Sequence, residues 1–256
     1  MTAILPMPGL AWPIALAALG AIAGSFLATI VVRWPEGRSV LAGRSACDSC
    51  GRTLGPRELV PLVSAIAQRG RCRGCGAAID PRHWRIEAGC ALTGALAGLV
   101  APGVQGAAGA LFGWLLLTLA ALDVAALWLP DRLTATLAAA GLATAPAGWT
   151  PPLDERLIGG AGGFAALWAI GFGYRMIRGR EGLGGGDPKL FGAIGLWLGW
   201  RLLPAVLLLA ALVGLGVVLL RRLRGQAVAA DEALPFGALL AVAAYPAWLM
   251  MVGMGA

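Results

Sequence analysis

The chain has 256 residues, of which 59% are hydrophobic and only 13% are charged, and its mean hydropathy is +0.78. A soluble domain carries about a quarter charged residues, so this composition excludes an ordinary soluble fold and predicts an all-α polytopic membrane protein. The net charge is +7, and ten of the nineteen arginines fall between Arg33 and Arg85. In a membrane protein such a basic segment is typical of a cytoplasmic loop. Because no aromatic stacking platform accompanies it, nucleic acid is not an expected partner.

Apolar blocks of bilayer length predict about eight transmembrane helices. The first, at 13–33, is too long for a signal peptide and lacks a basic start, so we expect a retained helix. The others lie at 86–101, 105–128, 131–149, 157–176, 188–200, 203–221 and 235–254. The sequence therefore predicts a first transmembrane helix within 1–34, a small cytoplasmic zinc-ribbon-like insert at 35–85, and a membrane-embedded domain at 86–256.

The charge pattern predicts an orientation. If the arginine-rich insert is cytoplasmic, counting eight crossings places Asp123 and Asp187 at the same, cytoplasmic face. The arginines at 175–180 and 221–224 then also fall inside, as the positive-inside rule requires. A wrong number of crossings between the two aspartates would separate them.

Four cysteines form two CxxC pairs with 21 residues between them. Each pair can direct two thiolates at one centre, and this spacing is typical of a four-cysteine zinc ribbon. We therefore predict a structural Zn²⁺ held by Cys47, Cys50, Cys72 and Cys75. Disulfides or free thiols are the alternative, which a cytoplasmic location disfavours. Cys90 lies in an apolar run and is expected to be a buried core thiol.

Asp123 and Asp187 are the candidate catalytic residues. An ionisable residue within or at the end of a membrane helix is expensive and suggests a functional site. A structural alternative exists for each: Asp123 as a helix-end carboxylate bonded to a neighbouring helix, and Asp187 as an N-cap followed by Pro188 at the first helical position. For Asp131, which follows Pro130, the N-cap role is the favoured one.

Two carboxylates that approach each other cannot both ionise cheaply, so they share one proton. Such a pair can activate water and protonate a scissile carbonyl. The sequence therefore suggests an intramembrane aspartic protease. Gly184 and Gly186 would let the backbone around Asp187 adopt unusual dihedral angles. Lys189, the only lysine, would support this loop by holding charge near the pair or by binding substrate; a lysine extending to the membrane surface is the alternative.

Six sequence elements, in order, resemble one known family, the type IV prepilin peptidases, which are bacterial GxGD-type aspartic proteases. The elements are 24–27 (GSFL) with Arg33 and Pro35; the two CxxC pairs; 58–64 (ELVPLVS) with 69–72 (RGRC); Asp123 with 129–134 (LPDRLT); 184–190 (GGGDPKL); and 234–237 (LPFG). Together they extend over nearly the whole chain.

The resemblance implies that Asp123 and Asp187 are the catalytic pair. It also implies a substrate: the short basic leader of a type IV prepilin or type II secretion pseudopilin, cut after Gly at the cytoplasmic face of the bacterial inner membrane. By the same resemblance, an apolar helix follows the cut and would stay in the bilayer. Many members also methylate the new N-terminus with S-adenosylmethionine, and the zinc insert accompanies that two-activity form. Residues that would bind the methyl donor, and the oligomeric state, are not assigned by the sequence.

Three other functions would each account for part of the sequence. A membrane methyltransferase with a vestigial protease site would not cut leaders. A transporter using the aspartates as a proton relay would place charges near mid-membrane and show repeat symmetry, whereas these carboxylates lie at helix ends. A zinc-ribbon membrane scaffold leaves Asp123 and the glycine-rich run unexplained.

Overall fold

The computed structural model describes residues 9–40, 44–226 and 233–255. These residues form an all-α fold, in which the only β-type pairing is two isolated bridges near the cysteines. The helices are α1 (Ala11–Arg33), α2 (Val63–Ala67), α3 (Arg82–Val100), α4 (Val104–Ala126), α5 (Asp131–Ala143), α6 (Leu153–Arg178), α7 (Asp187–Leu223) and α8 (Phe236–Met254). The predicted all-α membrane fold is confirmed.

The predicted count of about eight spans is not confirmed. Within the described ranges, five helices are long and apolar enough to cross a membrane: α1, α4, α6, α7 and α8. Helix α5, which has 13 residues, is not among them. The apolar blocks 188–200 and 203–221 lie in two helices of α7 that meet at Gly199, whose φ of 69° and ψ of 175° are not helical. The second helix folds back on the first, because a Cβ on Gly163 would lie 2.9 Å from the Leu203 Cδ1 and 3.2 Å from the Phe191 oxygen. A positive φ is accessible to glycine at little cost, so no loop is needed between the two blocks.

The chain divides into two compact units, Met1–Trp114 and Leu115–Ala256, and the division falls within α4. In the first unit, α1 and α3 approach so closely that side chains are excluded at the contact. A Cβ on Gly24 would lie 2.8 Å from the Glu87 Cα, and one on Gly98 would lie 2.7 Å from the Pro13 nitrogen. Glycines four residues apart on a membrane helix permit this approach, and such spacing occurs on both helices, at Gly20 and Gly24 and at Gly94 and Gly98.

Glu87 attaches the cysteine-bearing segment to α3. Its side chain is 7% exposed, and its Oε2 accepts the backbone N–H of Leu62 at 2.8 Å. Cys90, one turn further along α3, is fully buried, as expected for a core thiol.

In the second unit, α6 and α7 also meet through glycines, because a Cβ on Gly159 would lie 2.6 Å from the Gly195 oxygen. Helix α5 packs on α7 through the Trp197 indole, whose Nε1 donates to the Leu137 carbonyl at 2.8 Å. Together these contacts pack α5 and α6 on the first half of α7.

Arg156 joins its own helix, α6, to two others of the second unit, α5 and α7. It is only 2% exposed, yet its guanidinium donates to carbonyl and hydroxyl oxygens and not to a carboxylate. The acceptors are the carbonyl oxygens of Pro151 at 2.7 Å, Gly141 at 2.9 Å and Leu196 at 3.2 Å, and the Thr144 Oγ1 at 2.8 Å. A buried group with this many partners is costly to remove, because the partners then lack a donor.

We therefore predict that Arg156→Met lowers the free energy of unfolding by about 2 kcal/mol or more, measured as detergent-solubilised thermal or denaturant stability. Arg201→Met is the matched control: Arg201 pairs with Glu155 but its side chain is 68% exposed, and an exposed pair contributes roughly 0–1 kcal/mol. Equal stability losses in both variants would contradict the role of Arg156.

Candidate active site and metal centre

The two candidate catalytic aspartates lie at helix ends in the second unit. Asp123 is near the C-terminus of α4, and Asp187 is the first residue of α7. Both are only 5% exposed. Helix α4 ends three residues after Asp123, where Leu127 takes a positive φ of 48° and donates its N–H to the Asp123 carbonyl at 2.8 Å.

The N-terminus of α8 faces both carboxyl groups. Asp123 Oδ2 accepts the backbone N–H of Ala238 at 2.9 Å. The backbone N–H of Gly237 interacts with the carboxyl groups of both Asp123 and Asp187, and the two carboxyl groups interact electrostatically with each other. Free amides of a first helical turn bear partial positive charge, so this helix end is suited to hold a negative charge shared by the pair.

Asp187 is held in addition by its own loop. Its Oδ2 accepts the N–H of Gly184 at 3.0 Å. The expected N-cap position is shifted by one residue: Gly186 is the N-cap of α7, and Asp187 and Pro188 are the first two helical residues. The carboxylate therefore bonds back to the preceding loop instead of capping the helix.

Leu129 leaves no room for a side chain at Gly186 or at Gly237. A Cβ on Gly186 would lie 2.8 Å from the Leu129 Cβ, and one on Gly237 would lie 2.8 Å from the Leu129 Cδ1 and 3.0 Å from the Asp123 Oδ2. Both backbones can reach this leucine only without side chains. Leu129, which lies between α4 and α5, thus contacts the backbone beside each aspartate.

Lys189 does not pair with either buried aspartate. Its Nζ lies 2.7 Å from Asp131 Oδ1, and both side chains are largely exposed, at 47% and 73%. Asp131 is the first residue of α5 rather than its N-cap, and Pro130 occupies the cap position without a side-chain bond. The favoured N-cap role for Asp131 is therefore replaced by an ion pair that joins the start of α5 to the start of α7.

The sequence reasoning attached no role to Gly237 and Ala238. A signal was present, because Pro235 and Phe236 precede an apolar block and proline commonly stands at a helix start. The direction in which the start of α8 points cannot be inferred from the sequence.

The four cysteines predicted to bind metal come together in the first unit. Two equivalent turns present them: Cys47 N–H donates to the Arg52 carbonyl and Cys72 N–H to the Ala77 carbonyl, each at 2.9 Å. The glycine after each CxxC pair has a positive φ, 70° at Gly51 and 72° at Gly76, as expected for a tight knuckle.

The donor geometry fits a tetrahedral thiolate site. All four Sγ atoms lie within 4.8 Å of one another, and those of Cys47 and Cys75 are 3.9 Å apart. A Zn–S bond of about 2.3 Å in a tetrahedron requires sulfur atoms about 3.8 Å apart.

Arg52 links the two knuckles. Its guanidinium pairs with Glu58 at 2.5 Å, and a Cβ on Gly74 would lie 2.8 Å from its Nε. The arginine of the first knuckle therefore lies against the backbone of the second. This contact holds the two knuckles together, so that the four sulfur atoms converge although little regular secondary structure surrounds them.

Comparisons with known proteins assign the family. A model described as the bacterial peptidase A24 N-terminal domain matches residues 18–101, and one described as the type IV leader peptidase family matches residues 110–219. Proteins named prepilin leader peptidase/N-methyltransferase are similar over most of the chain. The one from Dickeya chrysanthemi is 37% identical over 255 residues, covering 90% of each chain.

Two further relatives carry the same name. That from Burkholderia pseudomallei is 40% identical over 211 residues, which is 81% of this chain and 67% of the relative. That from Pseudomonas aeruginosa is 36% identical over 260 residues, 90% of this chain and 88% of the relative. No solved structure gives a significant match. Two matching family models and relatives of this identity and coverage show that the chain belongs to the type IV leader peptidase family.

Proposed function

We propose that this protein is a membrane aspartic endopeptidase that cuts the short basic leader of type IV prepilins or type II secretion pseudopilins after Gly, and then methylates the new N-terminus with S-adenosylmethionine. Family membership and the names of the relatives support both activities. The observation that carries the proteolytic part is that the start of α8 lies against both aspartates: the Ala238 N–H donates to Asp123 Oδ2, and Leu129 contacts the backbone of Gly237 and of Gly186, the residue before Asp187. Such convergence is expected of two carboxyl groups that act as an acid–base pair, and not of two separate helix caps.

In the proposed mechanism, Asp123 and Asp187 hold one proton between them, because two adjacent carboxylates resist double ionisation. The ionised member removes a proton from a water molecule as its oxygen attacks the scissile carbonyl carbon. The other member donates its proton to the carbonyl oxygen. As the tetrahedral intermediate breaks down, the C–N bond cleaves, a proton passes to the departing nitrogen, and the shared proton is restored.

The helix ends have a defined part in this reaction. The α8 amides hold the negative charge of the pair through the Ala238 and Gly237 N–H groups, and a helix N-terminus favours anions. The Gly184 amide fixes Asp187 on the other side. The carboxyl groups are thereby oriented by fixed donors, which do not need to reorganise during the reaction. We assign Gly184, Gly186 and Lys189 to support of this loop, the lysine through its pair with Asp131.

Location and domain organisation follow the same proposal. Five candidate membrane helices support a multi-pass protein of the bacterial inner membrane. We place the aspartate pair at the cytoplasmic face on the basis of the arginine distribution. This placement requires that α3 and the shorter α5 also cross the bilayer, and that the two helices of α7 cross it separately. We keep the division into a first transmembrane helix within 1–34, a cytoplasmic metal-binding insert at 35–85 and a protease domain at 86–256.

The metal proposal is a structural Zn²⁺ held by the four cysteines. The four sulfur atoms are close enough to surround one ion. Because four cysteines would complete a tetrahedron, no obvious coordination position stays open, as in structural rather than catalytic sites. A bound metal would stabilise the two knuckles and takes no part in the proposed cleavage. The residues that bind S-adenosylmethionine are not assigned.

We expect Asp123→Asn and Asp187→Asn each to reduce leader cleavage at least about a hundredfold, the usual contribution of acid–base groups, with the protein still folded and inserted. An asparagine keeps the size and an acceptor oxygen for the α8 or Gly184 amide. The assay is cleavage of a purified prepilin followed by mass spectrometry. Asp154→Asn, at an exposed aspartate in the first turn of α6, is the control. Substantial cleavage by either active-site variant would refute the assignment.

Gly237→Ala tests the role of α8 without removing a carboxylate. The added methyl group would lie against Leu129 and 3.0 Å from Asp123 Oδ2, so it displaces the pair; we expect kcat to fall at least about tenfold, as small misplacements do. Alanine has a higher helix propensity than glycine, so helix propensity should not lower the stability of this variant. Gly216→Ala, which meets nothing within 4 Å, is the matched control. Equal kcat values for the two variants would contradict the proposed contact.

Cys72→Ala should abolish bound zinc, because three remaining thiolates do not complete a tetrahedral site; elemental analysis should fall from about one zinc per chain to near zero. Cleavage should decline less than in the aspartate variants. Cys90→Ala is the control, since this buried cysteine lies outside the cluster. An unchanged zinc content in Cys72→Ala would overturn the metal assignment.

A further inference from the structure

A groove that the mechanism does not use lies between α6 and the glycine-rich loop before α7. It has a volume of about 280 Å³ and opens at the surface of the second unit. Its α6 wall is aromatic, because Trp168 and Phe172 stack with ring centroids 5.3 Å apart. The residues that define it are Trp168, Phe172, Arg175, Leu183, Gly184 and Pro188.

The groove ends at the active site. Gly184 lines it and donates its backbone N–H to Asp187 Oδ2, while Pro188, also in the lining, is the residue after that aspartate. A molecule lying in the groove would therefore have one end beside the catalytic pair. From Trp168 to Arg175 the groove follows seven residues of helix, a rise of about 10 Å or two helical turns.

The chemistry of the walls favours an apolar occupant. The charged groups at the groove are Arg175 and Glu181, which lie 3.7 Å from each other and have side chains 58% and 78% exposed. A nucleoside-containing ligand would need buried polar partners, and this pair is solvent-facing and already satisfied. By contrast, Trp168 and Phe172 leave 54% and 45% of their surfaces uncovered on a helix apolar enough to span the membrane.

We propose that this groove binds the apolar segment of the substrate that follows the scissile bond, so that Trp168 and Phe172 determine how the substrate is aligned with Asp187. This inference rests on the proposed function, since it assigns a binding surface to that reaction. A segment that stays in the bilayer reaches the groove from the lipid side, along α6. Gly171 and Gly184, both in the lining, allow close approach of a second backbone, as small residues do between membrane helices.

The expected effect of losing this surface is moderate. Lipid tails are as apolar as a substrate helix, so the gain on binding comes from packing against the rings rather than from the hydrophobic effect. We therefore expect Trp168→Ala and Phe172→Ala each to raise KM for a full-length prepilin about fivefold, with a smaller change in kcat, because truncation removes part of a packed interface. Trp200→Ala is the matched control, since Trp200 is a similarly exposed tryptophan (46%) outside the groove.

A double-mutant cycle tests whether the contact is with the apolar segment. The wild type and the Trp168→Ala variant are assayed on full-length prepilin and on a peptide that retains the leader and scissile bond but lacks most of the apolar segment. The losses in kcat/KM from the two changes should be less than additive, as for groups in direct contact. Additive losses, or a full-length KM equal to that of Trp200→Ala, would overturn the proposal.

Photo-cross-linking gives a second readout that does not depend on turnover. A benzoylphenylalanine at position 168, in an Asp187→Asn background that keeps the substrate uncut, should attach to the first two turns of the apolar segment. Attachment to the leader, or no attachment to the substrate, would overturn the proposal. A Trp168→Ala variant that loses only methyl transfer to a pre-cleaved substrate would also overturn it. Failure of the wild type to cut any prepilin is a separate result, which would refute the proposed function itself.

Discussion

The free amides at the start of α8 are the interaction on which the candidate active site depends. They receive Asp123 from the end of α4 and, through Gly237, also interact with Asp187 at the start of α7. Three helix ends therefore meet at one point, and the partial positive charge of the third offsets the carboxylate charge brought by the other two. Without that helix end, two carboxyl groups each 5% exposed would have little to compensate for the loss of water.

Close packing through glycine makes this convergence possible. The backbone beside each aspartate lies against Leu129 at Gly186 and Gly237, and the α6–α7 contact that holds the second unit together also excludes side chains at Gly159 and Gly195. In a bilayer such contacts replace the hydrophobic effect, which is weak between helices already surrounded by lipid. Arg156 adds hydrogen bonds that join α5, α6 and α7. The aspartates thus lie on a scaffold in which close glycine contacts and the hydrogen bonds of Arg156 set the spacing of α5, α6 and the first half of α7.

The sequence predicts those features that depend on local spacing. Two CxxC pairs, each followed by a glycine, led to a four-sulfur cluster that the structure brings together, and Asp123 and Asp187 were singled out because carboxylates are rare in apolar surroundings. Features that depend on tertiary contact were missed. Asp131 reads as an N-cap, but the partner that decides its role, Lys189, is 58 residues away. Gly237 has a role only because α8 points at a residue 114 positions earlier, which local periodicity cannot reveal.

The proposed cleavage requires that the carboxyl groups of Asp123 and Asp187 act together on a single peptide bond. The most direct measurement is a structure of the wild-type protein bound to a prepilin analogue in which a hydroxyl-bearing tetrahedral carbon replaces the scissile carbonyl. The account predicts that this hydroxyl lies within hydrogen-bonding distance, about 3 Å, of a carboxylate oxygen from each aspartate. A hydroxyl that contacts only one of them, or binds elsewhere, would contradict it.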